Sequence, residues 1–178
     1  ALYQGGLALA PRWDGLWPAV LDRLVSLPGV DAGRVCLMGI NHGGLWAAQG
    51  AAVGGDRVAA LVLDPAVTGL VGDVVAGLPD ELAALWRSCP EALDAAVADR
   101  VPTDPDLAFW VTKTLDPSPG GGVRAALDGL DAARLEESDL AAIACPTLVC
   151  VAERASAFVG QAHAVLGDLK AAAQVIAE

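Results

Sequence analysis

Two apolar runs joined through a glycine-rich turn constrain this chain most. "RVCLMG", Arg34 to Gly39, is a short continuous apolar stretch bounded by "DAG" and a glycine, and "RVAALVLD", Arg57 to Asp64, is a second one ended by Pro65. Unbroken apolar runs of that length read as strands buried on both faces of a parallel sheet. Between them Leu45, Trp46, Ala47, Ala48, Ala51 and Ala52 form a small-residue helix that stops near Gly54-Gly55. Strand, turn, helix and strand in that order make a parallel β-α-β unit with a right-handed crossover, which places the chain in the α/β class.

The same alternation extends outward. Trp13, Leu16, Trp17, Val20, Leu21, Leu24 and Leu27 recur at spacings of three and four, one apolar face of a helix ended by Pro28-Gly29. "PTLVCVAE", Pro146 to Glu153, reads as a third buried strand; a helix over Phe158 to Lys170 and a final strand in "AAQVIAE" follow. The middle breaks the pattern. No strand is expected between Thr68 and Ala144, where helical patterns are punctuated by "GLPDE", "SCPEA", "VPTDPD" and "DPSPGGG". Asp80 or Pro79, Pro90, and Asp104-Pro105 are suited to start helices, by capping or by proline in the first turn. "DPSPGGG", Asp116 to Gly122, reads as a hinge or loop. The expected organisation is a sheet core over residues 1–67 and 140–178 carrying a helical insertion over 68–139.

With 178 residues there is room for one domain with a real core. No apolar run approaches the roughly 20 residues of a membrane-spanning helix. A net charge of −11 leaves no basic stripe, so neither nucleic acid nor an anionic membrane is an expected partner, and the acidity reads as a solubility feature. Cys36, Cys89, Cys145 and Cys150 show no CxxC spacing, and two of them lie in strand-like runs. They are expected as buried, reduced thiols, with no metal site and no cofactor. "ALYQGG" has no signal-peptide pattern, which points to the cytoplasm. The Ala, Gly, Val and Arg bias suits a high-GC bacterial genome.

The turn itself is "GINHGG", Gly39 to Gly44. Together with its flanks, "SLPGVDAGRVCLMGINHGGLWAAQGAAVGGDRVAALVLDPAV", Ser26 to Val67, it resembles the central block of α/β-hydrolases, and "IACPTLVCVAERAS" is similar to their strand and loop that carry the triad acid. With its helical insertion, the chain resembles the esterases and carbon-carbon bond hydrolases of the FrsA and dihydroxypseudooxynicotine hydrolase type. The resemblance implies an α/β-hydrolase fold with a helical cap, and here one whose N-terminal strands are missing, since only "ALYQGG" precedes the first helix. It makes "GINHGG" a nucleophile elbow of the form Gly-x-Ser-x-Gly, in which Gly39 and Gly43, with Gly44 beside them, allow the sharp strand-to-helix turn. The backbone N–H of His42 would be one oxyanion donor, reinforced by the helix N-terminus.

Three departures accompany the resemblance. Asn41 stands at the nucleophile position; asparagine tolerates a positive φ, so the turn survives, but a carboxamide is a poor nucleophile at neutral pH. Ala155 stands where the acid is expected, and neighbouring Glu153 reads as a solvated loop carboxylate. Asp64, at the carboxyl end of the strand after the elbow, has two readings, a substitute acid or the cap of an Asp-Pro turn. The family's histidine is expected in a loop after the last strand, this sequence ends at Glu178 around that strand, and His163 lies within the preceding helix. Trp86, Phe109 and Trp110 in the insertion are either a pocket lining for a small apolar or acyl ligand or ordinary core.

Three functional readings result. In the first the fold binds a small acyl or ketone-like ligand without Ser-His-Asp hydrolysis. In the second it is a non-standard hydrolase, lyase or cyclase, with Asn41 and His42 polarising a carbonyl. In the third it is a non-catalytic interaction module. A homodimer is compatible with all three.

Overall fold

The computed structural model describes residues 12–114, 122–151, 156–169 and 173–177. Helix α1 (Trp17–Val25) precedes strand β1 (Cys36–Ile40), helix α2 (Gly43–Gly54) and strand β2 (Ala60–Asp64). Six helices follow: α3 (Val71–Ala76), α4 (Asp80–Ser88), α5 (Pro90–Arg100), α6 (Pro105–Thr114), α7 (Val123–Ala132) and α8 (Glu137–Ala142). Strand β3 (Thr147–Val151), helix α9 (Ser156–Asp168) and strand β4 (Ala173–Ala177) complete the order. The expected strands and the helix starts at Asp80, Pro90 and Pro105 are all present. "DPSPGGG" lies outside the described residues except for Gly122.

The chain divides into two compact units. The core unit contains Arg12–Gly69 and Arg134 onward; the helical unit is Leu70–Ala133. Helix α8 therefore groups with the sheet.

All four strands are parallel, and their order in the sheet, β1-β2-β3-β4, is their order in the chain. That order has a physical consequence. Right-handed crossovers between successive neighbours place α2, α8 and α9 on the same face of the sheet. Side chains alternate accordingly. Leu61, Leu63, Val149 and Val151 are buried in one cluster with Ala47, Ala48 and Ala51 of α2, Leu140 of α8 and Ala162 and Val165 of α9. Leu21 of α1 joins that cluster, and the ring of Trp17 lies where a Cβ on Gly50 would stand, so the small residues of α2 allow α1 close approach.

The opposite face corrects two expectations. Cys36, Met38 and Ile40 point to it and are exposed, Met38 by 60% and Ile40 by 59%. Strand β1 is thus buried on one face only. By the register, Val62 and Leu148 continue the stripe and are half-buried. The thiols follow suit: Cys36 is exposed, Cys89 and Cys150 are half-buried and only Cys145 is buried, all four free. On and beside α1, Leu16, Val20 and Leu27 are exposed, so the apolar residues from Trp13 to Leu27 do not share a single covered face.

The helical unit has its own core. Leu82 of α4, Leu93 and Val97 of α5, Leu107 of α6, and Val123, Leu127 and Leu130 of α7 are buried. Asp94 Oδ1 accepts the N–H of Arg124, which ties the start of α7 to α5, and Trp86 Nε1 donates to Asp128 at 3.2 Å. Among the described residues no helix is long and apolar enough to cross a membrane.

Candidate functional site

The turn between β1 and α2 is built from backbone. Asn41 has φ +52°, and among the described residues it alone, glycines aside, has a positive φ. Its N–H donates to the carbonyl of Asp64 at 2.8 Å, extending the β1–β2 pairing one residue past the strands. The chain then enters α2, with His42 already helical at the N-cap position and Gly44 N–H donating to Asn41 O at 2.9 Å. Asparagine is suited to this place because its short polar side chain tolerates the left-handed region that β-branched residues avoid.

The glycines divide differently from the elbow formula. A Cβ on Gly39 would collide with the carbonyl of Gly43 and stand 2.6 Å from Gly44 Cα; one on Gly44 would stand 2.5 Å from the carbonyl oxygen of Pro65. Gly43, by contrast, faces open space. The close approaches that demand glycine are therefore at Gly39 and Gly44. Gly44 lets the first turn of α2 sit directly on the segment after β2.

That segment is held from three sides. Pro65, Ala66 and Val67 are buried, and the Asp64–Pro65 peptide bond is cis. Gln161 Oε1 of α9 accepts the N–H of Thr68 at 2.7 Å, the Thr68 hydroxyl at 3.1 Å and the N–H of Gly69 at 3.1 Å. Gln161 gave no signal in the sequence, where a glutamine in a helix reads as surface. Leu135 N–H adds a bond to Thr68 O at 2.8 Å. The result is a hydrogen-bonded ledge at the carboxyl ends of β1 and β2, where ligand sites of parallel sheets gather.

On this ledge the Asn41 side chain is exposed, His42 is half-buried, and Asp64 is half-buried at the end of β2. The peptide dipoles of the 12-residue α2 converge on the turn and favour negative charge there. His163 is exposed on α9. Glu153 and Ala155 lie outside the described residues. Among the described residues no group of three His, Cys, Asp or Glu side chains is arranged to hold a metal ion.

The aromatic residues of the helical unit separate. Phe109 and Trp110 line one cleft with Gly77, Leu78, Pro79, Asp104, Asp106 and Leu107. Trp86 is not among its lining residues and instead bonds Asp128. Of the two carboxylates of the cleft, Asp104 was read in the sequence as a helix start and Asp106 was not singled out, although Asp106, Phe109 and Trp110 stand at helical i, i+3, i+4 spacing.

No protein-family model and no curated protein matches the sequence. Solved structures do match. A 2,6-dihydroxy-pseudo-oxynicotine hydrolase superposes on 95% of this chain and 40% of its own at a TM-score of 0.61 and 18% identity. The enol-lactonase from Burkholderia xenovorans LB400 matches 96% of this chain and 66% of its own, with a TM-score of 0.54 and 21% identity. A meta-cleavage product hydrolase from Pseudomonas fluorescens IP01 gives 0.50 and 16%, covering 96% of this chain and 64% of its own. The chain thus spans between two fifths and two thirds of the length of these proteins. At such identities the likeness is one of fold, and that fold is the α/β-hydrolase fold.

Proposed function

We propose that this chain is an α/β-hydrolase-fold protein without Ser-His-Asp hydrolysis, and that its elbow binds a small acyl or ketone-like ligand. One observation carries the reading: Asn41 occupies the strained turn at φ +52° with its side chain exposed, where such a fold presents its nucleophile. A carboxamide there keeps the geometry and removes the reactive oxygen, since its nitrogen lone pair is delocalised and it offers no proton a base can usefully take. Carbonyl recognition outlasts that loss. The helix N-terminus after Asn41 favours the partial negative charge of a carbonyl oxygen, with the His42 N–H as donor, and the Asn41 amide is a second donor on the same turn.

Two measurements test this. A fluorophosphonate probe leaves the protein unlabelled, while a methyl ketone such as 2-heptanone shifts the backbone amide resonances of His42 and Gly43 in a saturable titration. Turnover of short acyl esters or diketones by the wild type, abolished in Asn41→Ala, would overturn the reading in favour of a non-standard enzyme. Amide resonances that stay still at saturating ketone would remove the ligand assignment.

A further inference from the structure

The cleft in the helical unit has a composition of its own. It is an open cleft of about 450 Å³ between the Gly77–Pro79 turn and the first turns of α6. Leu78 and Leu107 are buried and give it apolar lining. Phe109 is 67% exposed, the most exposed large apolar side chain among the described residues. Trp110 is seated by Gly77, whose missing Cβ would stand 2.5 Å from the indole Nε1. Asp106, Phe109 and Trp110 lie on one face of α6, so a carboxylate and two aromatic rings border the same space.

The two carboxylates are not equivalent. Asp104 is committed: one oxygen caps α6 through the N–H of Leu107 at 3.0 Å, and the other accepts Nε of Arg100 at 3.0 Å. Asp106 is exposed, and among the described residues its carboxylate has no hydrogen bond or ion pair. The cleft therefore offers one uncompensated negative charge beside two aromatic side chains, in a chain of net charge −11. That combination discriminates between ligand classes. An anion is repelled, and a hard divalent cation needs several free carboxylate oxygens that Asp104 no longer has. A neutral apolar ligand gains from the leucines and rings but not from Asp106.

We propose that this cleft binds a small alkylated ammonium ion. Such a cation carries its charge on methyl groups, so it sheds water cheaply, stacks its methyls on Phe109 and Trp110, and pairs at longer range with Asp106. The cleft lies wholly within the helical unit, so this binding is independent of the elbow reading.

The test uses the whole 178-residue chain and a matched pair of probes, choline and its uncharged carbon isostere 3,3-dimethylbutan-1-ol. The indole N–H resonance of Trp110, assigned by its loss in Trp110→Phe, reports binding. Choline shifts it saturably and binds at least about threefold more tightly than the neutral alcohol, the scale of one exposed cation–π contact. Phe109→Ala and Asp106→Asn each weaken choline about two- to fivefold, while Phe109→Tyr, which keeps the π face, restores wild-type affinity. Equal affinity for choline and the alcohol would show an apolar cleft and overturn the proposal. So would a Trp110 resonance that choline does not move, or a choline affinity unchanged in both variants.

Discussion

Asn41 and its glycine neighbours set the shape of the elbow by different means. Asn41 meets a torsional demand, φ +52°, whereas Gly39 and Gly44 meet a spatial one, because backbone atoms occupy the places of their side chains. The two demands separate by mutation. Gly39→Ala and Gly44→Ala should each lower the unfolding free energy by about 2 kcal/mol or more, as overpacking against backbone does. Gly43→Ala should be neutral or stabilising by up to about 1 kcal/mol, since alanine is the better helix former and nothing stands in its way. Asn41→Gly should change little, and urea denaturation of the four variants gives the ranking. Sequence alone located this turn, because glycines between a strand pattern and a helix pattern are a local signal. It gave the close-packed roles to Gly39 and Gly43, whereas the close approaches are at Gly39 and Gly44. The demand at Gly44 comes from the carbonyl of Pro65, brought under α2 by tertiary packing.

Elements show a similar division. The strands were legible as apolar runs and the helix starts as prolines and acidic caps, but an apolar run reports the character of both faces of a strand without saying what covers them. Hence β1 reads as doubly buried in "RVCLMG" while Met38 and Ile40 stand exposed. Helix α8 was blurred for another reason. It has six residues, too few for periodicity to show, and its definition comes from a capping box between Glu136 and Asp139 plus a bidentate ion pair. Arg12 donates to both oxygens of Asp139, at 2.9 and 2.7 Å, and the Glu136 N–H donates to one of them at 2.9 Å. The guanidinium, more than the backbone N–H, holds the Asp139 carboxyl below the usual carboxylate range. A native pKa below the unfolded one makes the contribution complete above the unfolded value of about 3.9 and lost as pH falls through the depressed native one. Urea midpoints measured from about pH 6 to pH 2 should therefore fall less steeply in Asp139→Asn than in the wild type. At pH 6 the variant should already be less stable by about 1 to 3 kcal/mol, the usual scale for a charged hydrogen bond.

At the scale of the whole molecule, strand order following chain order leaves one sheet face with Met38, Ile40 and the half-buried Val62 and Leu148. An apolar stripe of this kind is a surface for association. The chain should bind an environment-sensitive dye such as ANS in its native state, and Met38→Lys with Ile40→Lys should reduce that fluorescence severalfold without lowering the urea midpoint. Unchanged dye binding would place the apolar surface elsewhere. The division into units adds a dimension of time. Among the described residues the helical unit is one stretch, Leu70–Ala133, whereas the core unit is split around it. Thr68 and its acceptor Gln161 are 93 residues apart. At ribosomal rates of about 5 to 20 residues per second, roughly 5 to 20 s separate the emergence of the ledge from that of the side chain that pins it. By the end of that interval every residue of the elbow and of Leu70–Ala133 has been synthesised. The ledge waits for α9, so a nascent chain interrupted before Gln161 holds the letters of the site without its floor.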